Sequence, residues 1–280
     1  TYNYGVYNTT VRTARGKRDA KDGVTQSFAA WQGFGLGDGG FLTVSGEYVK
    51  RNATNRSDYA DRFALPLYNA GRIIGRYGDP KVESYTLFAN AGLPLNDTWS
   101  VYGFAGYQHR DTNAAATARA YNNANNVAAV YPGGFLPQIE TEIKDVTVQG
   151  GIKGEAAGWN VDLSANYGKN ELDYTVVNSI NASYGAASPR TFKAGSLEYS
   201  QWIVDLNLSR TFDVGLVEPL NVAGGLEYRD ESFGIGAGEP SSYTVGPDPT
   251  KAGVSQGFPG FRPANEVDVS RHNYAAYIDV

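Results

Sequence analysis

The stretch Asp111–Ile139 concentrates side chains able to hold a polar ligand: Arg119, Tyr121, Asn122, Asn123, Asn125, Asn126, Tyr131 and Phe135. Aromatic faces stack on flat groups, and amides both donate and accept hydrogen bonds. Such a set suits a sugar or a catechol ring equally well. Arg119, Tyr121, Asn123, Tyr131 and Phe135 are therefore the candidate ligand-binding residues. A long loop that merely shields what lies beneath it is an equal alternative at this point.

Other chemistries find little footing. Gly35-Leu36-Gly37-Asp38-Gly39-Gly40 matches the glycine pattern of a dinucleotide site, but that site needs a helix next to receive the pyrophosphate. Phe41-Leu42-Thr43-Val44 reads as strand instead, so the glycines predict a hairpin turn. The two histidines, His109 and His272, share by parity a face with Tyr107 and Tyr274, which suits neither a hydrolase triad nor a metal site. With no cysteine there is no disulfide framework and no thiolate metal site. No catalytic residue, metal ligand or cofactor is predicted, and an enzyme is not expected.

The elements that must position these residues announce themselves by spacing. Trp99, Val101, Gly103, Ala105 and Tyr107 occupy one face of a strand, and Trp159, Val161, Leu163, Ala165 and Tyr167 repeat the arrangement. Leu220, Val222, Gly224, Leu226 and Tyr228 give a third version. The alternate positions are polar: Asn160, Asp162, Ser164 and Asn166 in the second case. One face is thus apolar with aromatic ends, and the other is wet. Eight residues rise about 26 Å, and a tilt of roughly 40° leaves about 20 Å along a membrane normal. That approximates the apolar band of a transmembrane β-barrel between its two aromatic girdles.

Ten strands are predicted, near Thr1–Thr9, Gly23–Leu36, Phe41–Asn52, Val82–Leu93, Thr98–Arg110, Glu140–Lys153, Trp159–Tyr174, Leu197–Phe212, Pro219–Phe233 and His272–Val280. Short connections (37–40, 94–97, 154–158, 213–218) alternate with long ones (10–22, 53–81, 111–139, 175–196, 234–271). Short periplasmic turns and long extracellular loops are how such barrels are connected. The direction this gives each strand places Tyr48, Tyr85, Tyr107, Tyr167, Trp202, Tyr228 and Tyr274 in an upper lipid-facing girdle, with Trp99 and Trp159 in the lower one. Phe28 and Trp31 fall on opposite faces of one strand, and Tyr102 and Phe104 fall on the inner face of another. The inner face also carries Asp145, Asp162, Asn166, Asp205, Glu227, Arg229 and Glu231. These groups suit a polar lumen, hydrogen bonds to whatever fills it, or ligand contact.

Composition agrees. In 280 residues there are 34 glycines and 20 tyrosines, with 41% hydrophobic residues and a mean hydropathy of −0.39. A low mean is what a wall with one wet face produces. The net charge of −5, with scattered basic residues, gives nucleic-acid binding no support. Arg12, Arg15, Lys17, Arg18 and Lys21 cluster in the first long connection. Lipopolysaccharide phosphates could attract them, but a solvated loop is the simpler reading, with Asp19 and Asp22 interspersed. A soluble or secreted β-rich module for carbohydrate binding or adhesion also alternates, and it predicts Trp159 and Trp202 buried.

The final strand pair carries a resemblance. Gly225-Leu226-Glu227-Tyr228-Arg229-Asp230-Glu231-Ser232-Phe233 runs into Gly238-Glu239-Pro240-Ser241-Ser242-Tyr243, then Gln256-Gly257-Phe258-Pro259-Gly260-Phe261-Arg262-Pro263 and Ser270-Arg271-His272-Asn273-Tyr274-Ala275-Ala276-Tyr277. With Tyr131-Pro132-Gly133-Gly134-Phe135-Leu136-Pro137 and the run 178–189, this resembles the barrel of TonB-dependent outer-membrane receptors of Gram-negative bacteria. The resemblance implies a 22-stranded barrel around an N-terminal plug and energy delivered by TonB through a box near the N-terminus. It implies uptake of a ferric siderophore, cobalamin, haem or oligosaccharide, and an outer-membrane setting of lipid and lipopolysaccharide. No plug or TonB-contacting box is recognisable here. The chain starts without an initiator Met and stops within an alternating run, so the expectation is an internal barrel segment (residues 1–280) of a longer protein.

Overall fold

The computed structural model describes residues 1–60, 71–215 and 217–280. Part of the expected 53–81 loop and Leu216 of the expected 213–218 turn lie outside the described residues. The fold is all-β, a single antiparallel sheet of ten strands in which each strand pairs with the next. These are β1 (Tyr2–Thr13), β2 (Gly16–Leu36), β3 (Gly40–Arg51), β4 (Lys81–Pro94), β5 (Trp99–Ala115), β6 (Gln138–Ala156), β7 (Trp159–Val177), β8 (Phe192–Phe212), β9 (Leu220–Gly236) and β10 (Val267–Asp279). The sheet is not closed: β1 and β10 are its two edges.

The register keeps the apolar set on one side. Across the sheet Tyr48 pairs with Tyr85, Leu87 with Tyr107, Val148 with Tyr167, Tyr167 with Trp202, Val204 with Tyr228 and Tyr228 with Tyr274. Directly opposed residues share a face, so all of these stand on the outer face. Leu87, Leu163, Trp202, Val204 and Leu226 are exposed there. A one-residue slip at any pair would turn the whole apolar set inward, which is why the alternation fixes the register.

The upper aromatics do not follow one ladder row. His109, not Tyr107, faces Tyr85; Lys169, not Tyr167, lies in Tyr107's row; and Asp230, not Tyr228, faces Trp202. Each time the belt drops two residues, always in the same sense, for six residues over the seven steps from β3 to β10. At about 3.3 Å per residue and 4.8 Å between strands, a level belt requires strands tilted by about 30°. The lower end slips likewise: Trp99 lies in the row of Val161, two residues above Trp159.

Strand ends differ from expectation on the upper side. The expected long loop over 10–22 is instead a hairpin with a tight turn at Ala14-Arg15, and β5 to β10 also run past their expected upper ends. Above the apolar band both faces are wet or covered by loops, so pairing continues where hydrophobic alternation stops. Two glycines allow the register breaks there. Gly23 (φ +64°) sits at the β1–β2 break, where a β-carbon would strike the Tyr7 ring and Thr54. Gly195 (φ +103°) sits at the β7–β8 break, with the Gly236 carbonyl against it.

The G-x-G-x-x-G run is the β2–β3 turn, as its flanking strand pattern required. Buried apolar packing is concentrated at the upper end, where Val176, Phe192 and Ala194 pack with Tyr174 and Phe258.

Candidate ligand-capture site

The inner face is polar and internally bonded. Tyr102 donates its hydroxyl to Asp162 (2.6 Å) beneath Lys153, whose ammonium lies 5.3 Å from the Tyr102 ring. Phe104 stacks on Phe88 at 5.6 Å, so these inner aromatics pack along the wall itself. Asp145 accepts from Asn170 at 2.6 Å, and Arg229 pairs with Glu227 at 2.9 Å. Glu231 is the most heavily used: Tyr199 on β8, Arg271 and Asn273 on β10 all donate to it, at 2.6, 2.7 and 2.9 Å. One carboxylate thereby pins three strands.

A trough of about 430 Å³ is set into this wall. Gly106, Thr147 and Gly168 share one ladder row, and the two glycines leave its floor low. Phe88, Gln108, Asn170, Tyr199 and Gln201 form its sides, together with the Asp145 carboxylate that accepts from Asn170. Amides and rings around a shallow floor can hydrogen-bond and stack a neutral or weakly charged polar molecule. The sequence signal for this site is confined to glycine at two inward-parity positions, Gly106 and Gly168, in strands whose other inward side chains are mostly large.

Above the trough three loops are fastened together. Arg119 donates from Nε to Gln256 Oε1 at 3.0 Å, joining the β5–β6 loop to the β9–β10 loop. Ser179 Oγ donates to the Gln256 carbonyl (2.6 Å) and accepts from its N–H (2.9 Å), joining the β7–β8 loop to the same point. Asn181 is fully buried; its amide nitrogen donates to the Ser241 and Thr244 carbonyls, and its side-chain oxygen accepts from Ser183 Oγ. Tyr174, on the inner face of β7, meets Phe258 and Phe261 at 5.2 and 6.0 Å. The tied loops therefore lean over the polar face, on the trough's side.

The candidate residues divide between construction and exposure. Arg119 also donates to the Thr117 carbonyl, and its backbone bridges to Phe135. Phe135 is buried and stacks on Tyr131 at 4.6 Å, so its ring is loop core. Tyr131 donates to Asn178 Oδ1 (3.1 Å) with the Arg190 guanidinium 5.7 Å from its ring, and burial pushes its phenol pKa up. Tyr121 is half-buried; Asn123 is exposed and accepts from the Asn125 N–H. Gln256, Asn178 and Ser179 complete the cap; they lie in runs that carry the resemblance but are not among the expected ligand-binding residues.

The histidines sit on the outer face above the belt. His109 stacks on Tyr85 at 5.0 Å and lies 3.2 Å from Asp111; His272 lies 2.7 Å from Asp230. Among the described residues no group of histidine and acidic side chains is arranged to hold a metal ion.

No protein-family model matches the chain, and no curated protein matches it. Among solved structures it is similar to the ferric-catecholate import receptor Fiu from E. coli K12. The open form gives a TM-score of 0.47 at 12% identity, covering 99% of this chain and 46% of that one. The closed form gives 0.43 at 11%, covering 99% and 43%. The chain spans less than half the length of either solved structure.

Proposed function

We propose that this chain forms part of the wall and extracellular mouth of a TonB-dependent outer-membrane receptor that takes up a scarce nutrient such as a ferric siderophore. The observation that carries the membrane part is the slip of the aromatic belt. A level girdle on strands tilted by about 30° approaches the roughly 35–45° of transmembrane barrels, with exposed apolar side chains below it. The family part rests on the residues quoted from the β9–β10 region and its loop.

In this reading the barrel segment spans residues 1–280 and lies in the outer membrane of a Gram-negative cell, among lipid and lipopolysaccharide. The tied loops and the amide-lined trough receive the ligand. Tyr121 and Asn123 are the candidate residues free to touch it, while Arg119, Tyr131 and Phe135 hold the cap in shape. The plug and the TonB-contacting region belong to other parts of a longer protein, and this segment moves nothing by itself. A soluble carbohydrate-binding module gains no support from Trp202, which is 53% exposed.

The test is uptake by cells carrying the full-length protein as their sole candidate receptor. Labelled ferric siderophore should enter only when TonB is present, and the protein should fractionate with outer membranes. Uptake indifferent to TonB, or a protein found in the soluble fraction, would overturn the proposal.

A further inference from the structure

Above the trough the inner face changes character. Ile143, Leu172, Leu197, Ile235 and Val267 pair in succession across β6 to β10, so five aliphatic side chains stand in one unbroken ladder row. Four steps of about 4.8 Å make this collar about 19 Å wide. Lower down, the same face carries Asn166, Asp205, Glu227 and Arg229. Two residues below the collar, Phe233 and Val269 continue the row of Asn170 and Tyr199, and they are 38% and 51% exposed. Two residues above Leu172 stands Tyr174, over which the cap places Phe258 and Phe261. Apolar side chains on the outer face meet lipid. On the inner face, at the height of the mouth, they meet water, and covering them is favourable.

The trough beneath offers the opposite chemistry. One Asp145 carboxylate oxygen, the Asn170 side-chain oxygen and the Gln201 amide nitrogen have no partner among the described residues. No basic side chain pairs with Asp145: the Lys169 ammonium lies on the outer face with Glu171 and Glu198, and Arg110 donates to Gln108 at 2.6 Å. An anionic group would meet that carboxylate unshielded, whereas hydroxyls and amides match a mixed set of donors and acceptors. Asn170 and Tyr199 stand two residues from Leu172 and Leu197 on the same face, so the polar floor and the apolar collar are contiguous. We propose that the captured ligand is an amphiphile, with an uncharged hydrogen-bonding head in the trough against Asp145, Asn170 and Gln201. Its aliphatic chain lies along Leu172, Leu197 and Ile235 beneath Phe258 and Phe261. The inference rests on the reading of this face as the lumen of an importing barrel, and adds to it the class of ligand.

The test is protection from cysteine labelling in the full-length protein, in cells and in an otherwise cysteine-free background. The reagent is a membrane-impermeant maleimide, and the probe is octanoyl-N-methylglucamide below its micelle concentration. Leu197→Cys reports the collar and Gln201→Cys the trough, with Lys17→Cys on the exposed hairpin and Val204→Cys on the outer face as references. The probe should slow labelling at 197 and 201 and leave 17 unchanged. Each methylene added between the hexanoyl and decanoyl homologues should lower the half-protecting concentration about fourfold. Acetyl-N-methylglucamide, which lacks the chain, and octanoate, whose head is anionic, should protect only at far higher concentration. Protection independent of chain length, equal protection by octanoate, or no protection by any homologue would overturn the proposal. So would a cysteine at 197 that is unreactive before probe is added, since the collar would then already be covered by protein. Should Leu197→Cys fail to assemble, Ile235→Cys in the same row replaces it. Labelling at 204 as fast as at 201 refutes the membrane reading itself. A silent 204 with protection that ignores chain length refutes only the amphiphile.

Discussion

Arg119 and Gln256, 137 residues apart in sequence, meet side chain to side chain at 3.0 Å and close the β5–β6 loop onto the β9–β10 loop. Gln256 also holds Ser179 through both of its backbone groups, so one residue joins three loops. The mouth of the sheet is consequently a built object rather than a set of independent loops.

That junction makes its own prediction. Arg119→Ala removes a charge-assisted bond in a partly buried place and should destabilise the cap locally by about 1.5–3 kcal/mol. Amide hydrogen exchange should quicken over 117–135 and 254–258 and leave the β6–β7 ladder unchanged. Unchanged protection in the loops would show that the bond is not a fastening.

The pinning role of Glu231 predicts a graded effect along the sheet. Glu231→Ala releases Tyr199, Arg271 and Asn273 together. Exchange should then rise first on β10, which has a neighbour on one side only, and least on β6. A uniform rise across all strands would contradict it.

The β9–β10 loop carries a pH-dependent turn. Asp248 accepts from the Thr250 hydroxyl (2.6 Å) and N–H (3.0 Å), and these bonds hold its carboxyl below the usual aspartate range. A depressed folded pKa means the turn's contribution is complete above the ordinary aspartate value, roughly 3.9, and is lost as pH falls through the lower folded value. Carboxyl chemical shifts of Asp248 should titrate below those of a model peptide, and Thr250→Val should move them back up. An ordinary midpoint in the unaltered protein would count against the bonds.

Much of this was legible in residue order, for a physical reason. A strand with one face in lipid and one in water must alternate at period two, so Trp159 to Tyr167 revealed face, length and direction together. Where that contrast ends, so does the signal: Thr10, Arg12, Lys17 and Asp19 are paired strand, yet they read as loop because neither face there borders hydrocarbon. The cap was illegible for another reason. Phe135 and Gln256 lie in aperiodic segments, and their partners are set by how distant loops meet above the sheet. Trp31, exposed on the inner face, has no partner among the described residues that explains it.

Placement of charge on the wall should be face-dependent. Val204→Arg or Leu163→Arg, near mid-height on the outer face, should cost roughly 2–4 kcal/mol in assembly of the full-length protein, and Asn166→Arg much less. Heat-resistant electrophoretic mobility of the membrane fraction reads this out. Equal penalties on both faces would sink the orientation.

The most direct test of the lipid-facing wall exploits the absence of cysteine from these 280 residues. Single Cys substitutions at 163, 164, 165, 166, 204 and 205, each spin-labelled in the reconstituted full-length protein, report contact with oxygen in lipid and with a nickel chelate in water. Oxygen contact is expected at Leu163, Ala165 and Val204, and water or protein contact at Ser164, Asn166 and Asp205. Chelate contact at all six, or no alternation between neighbours, would contradict it.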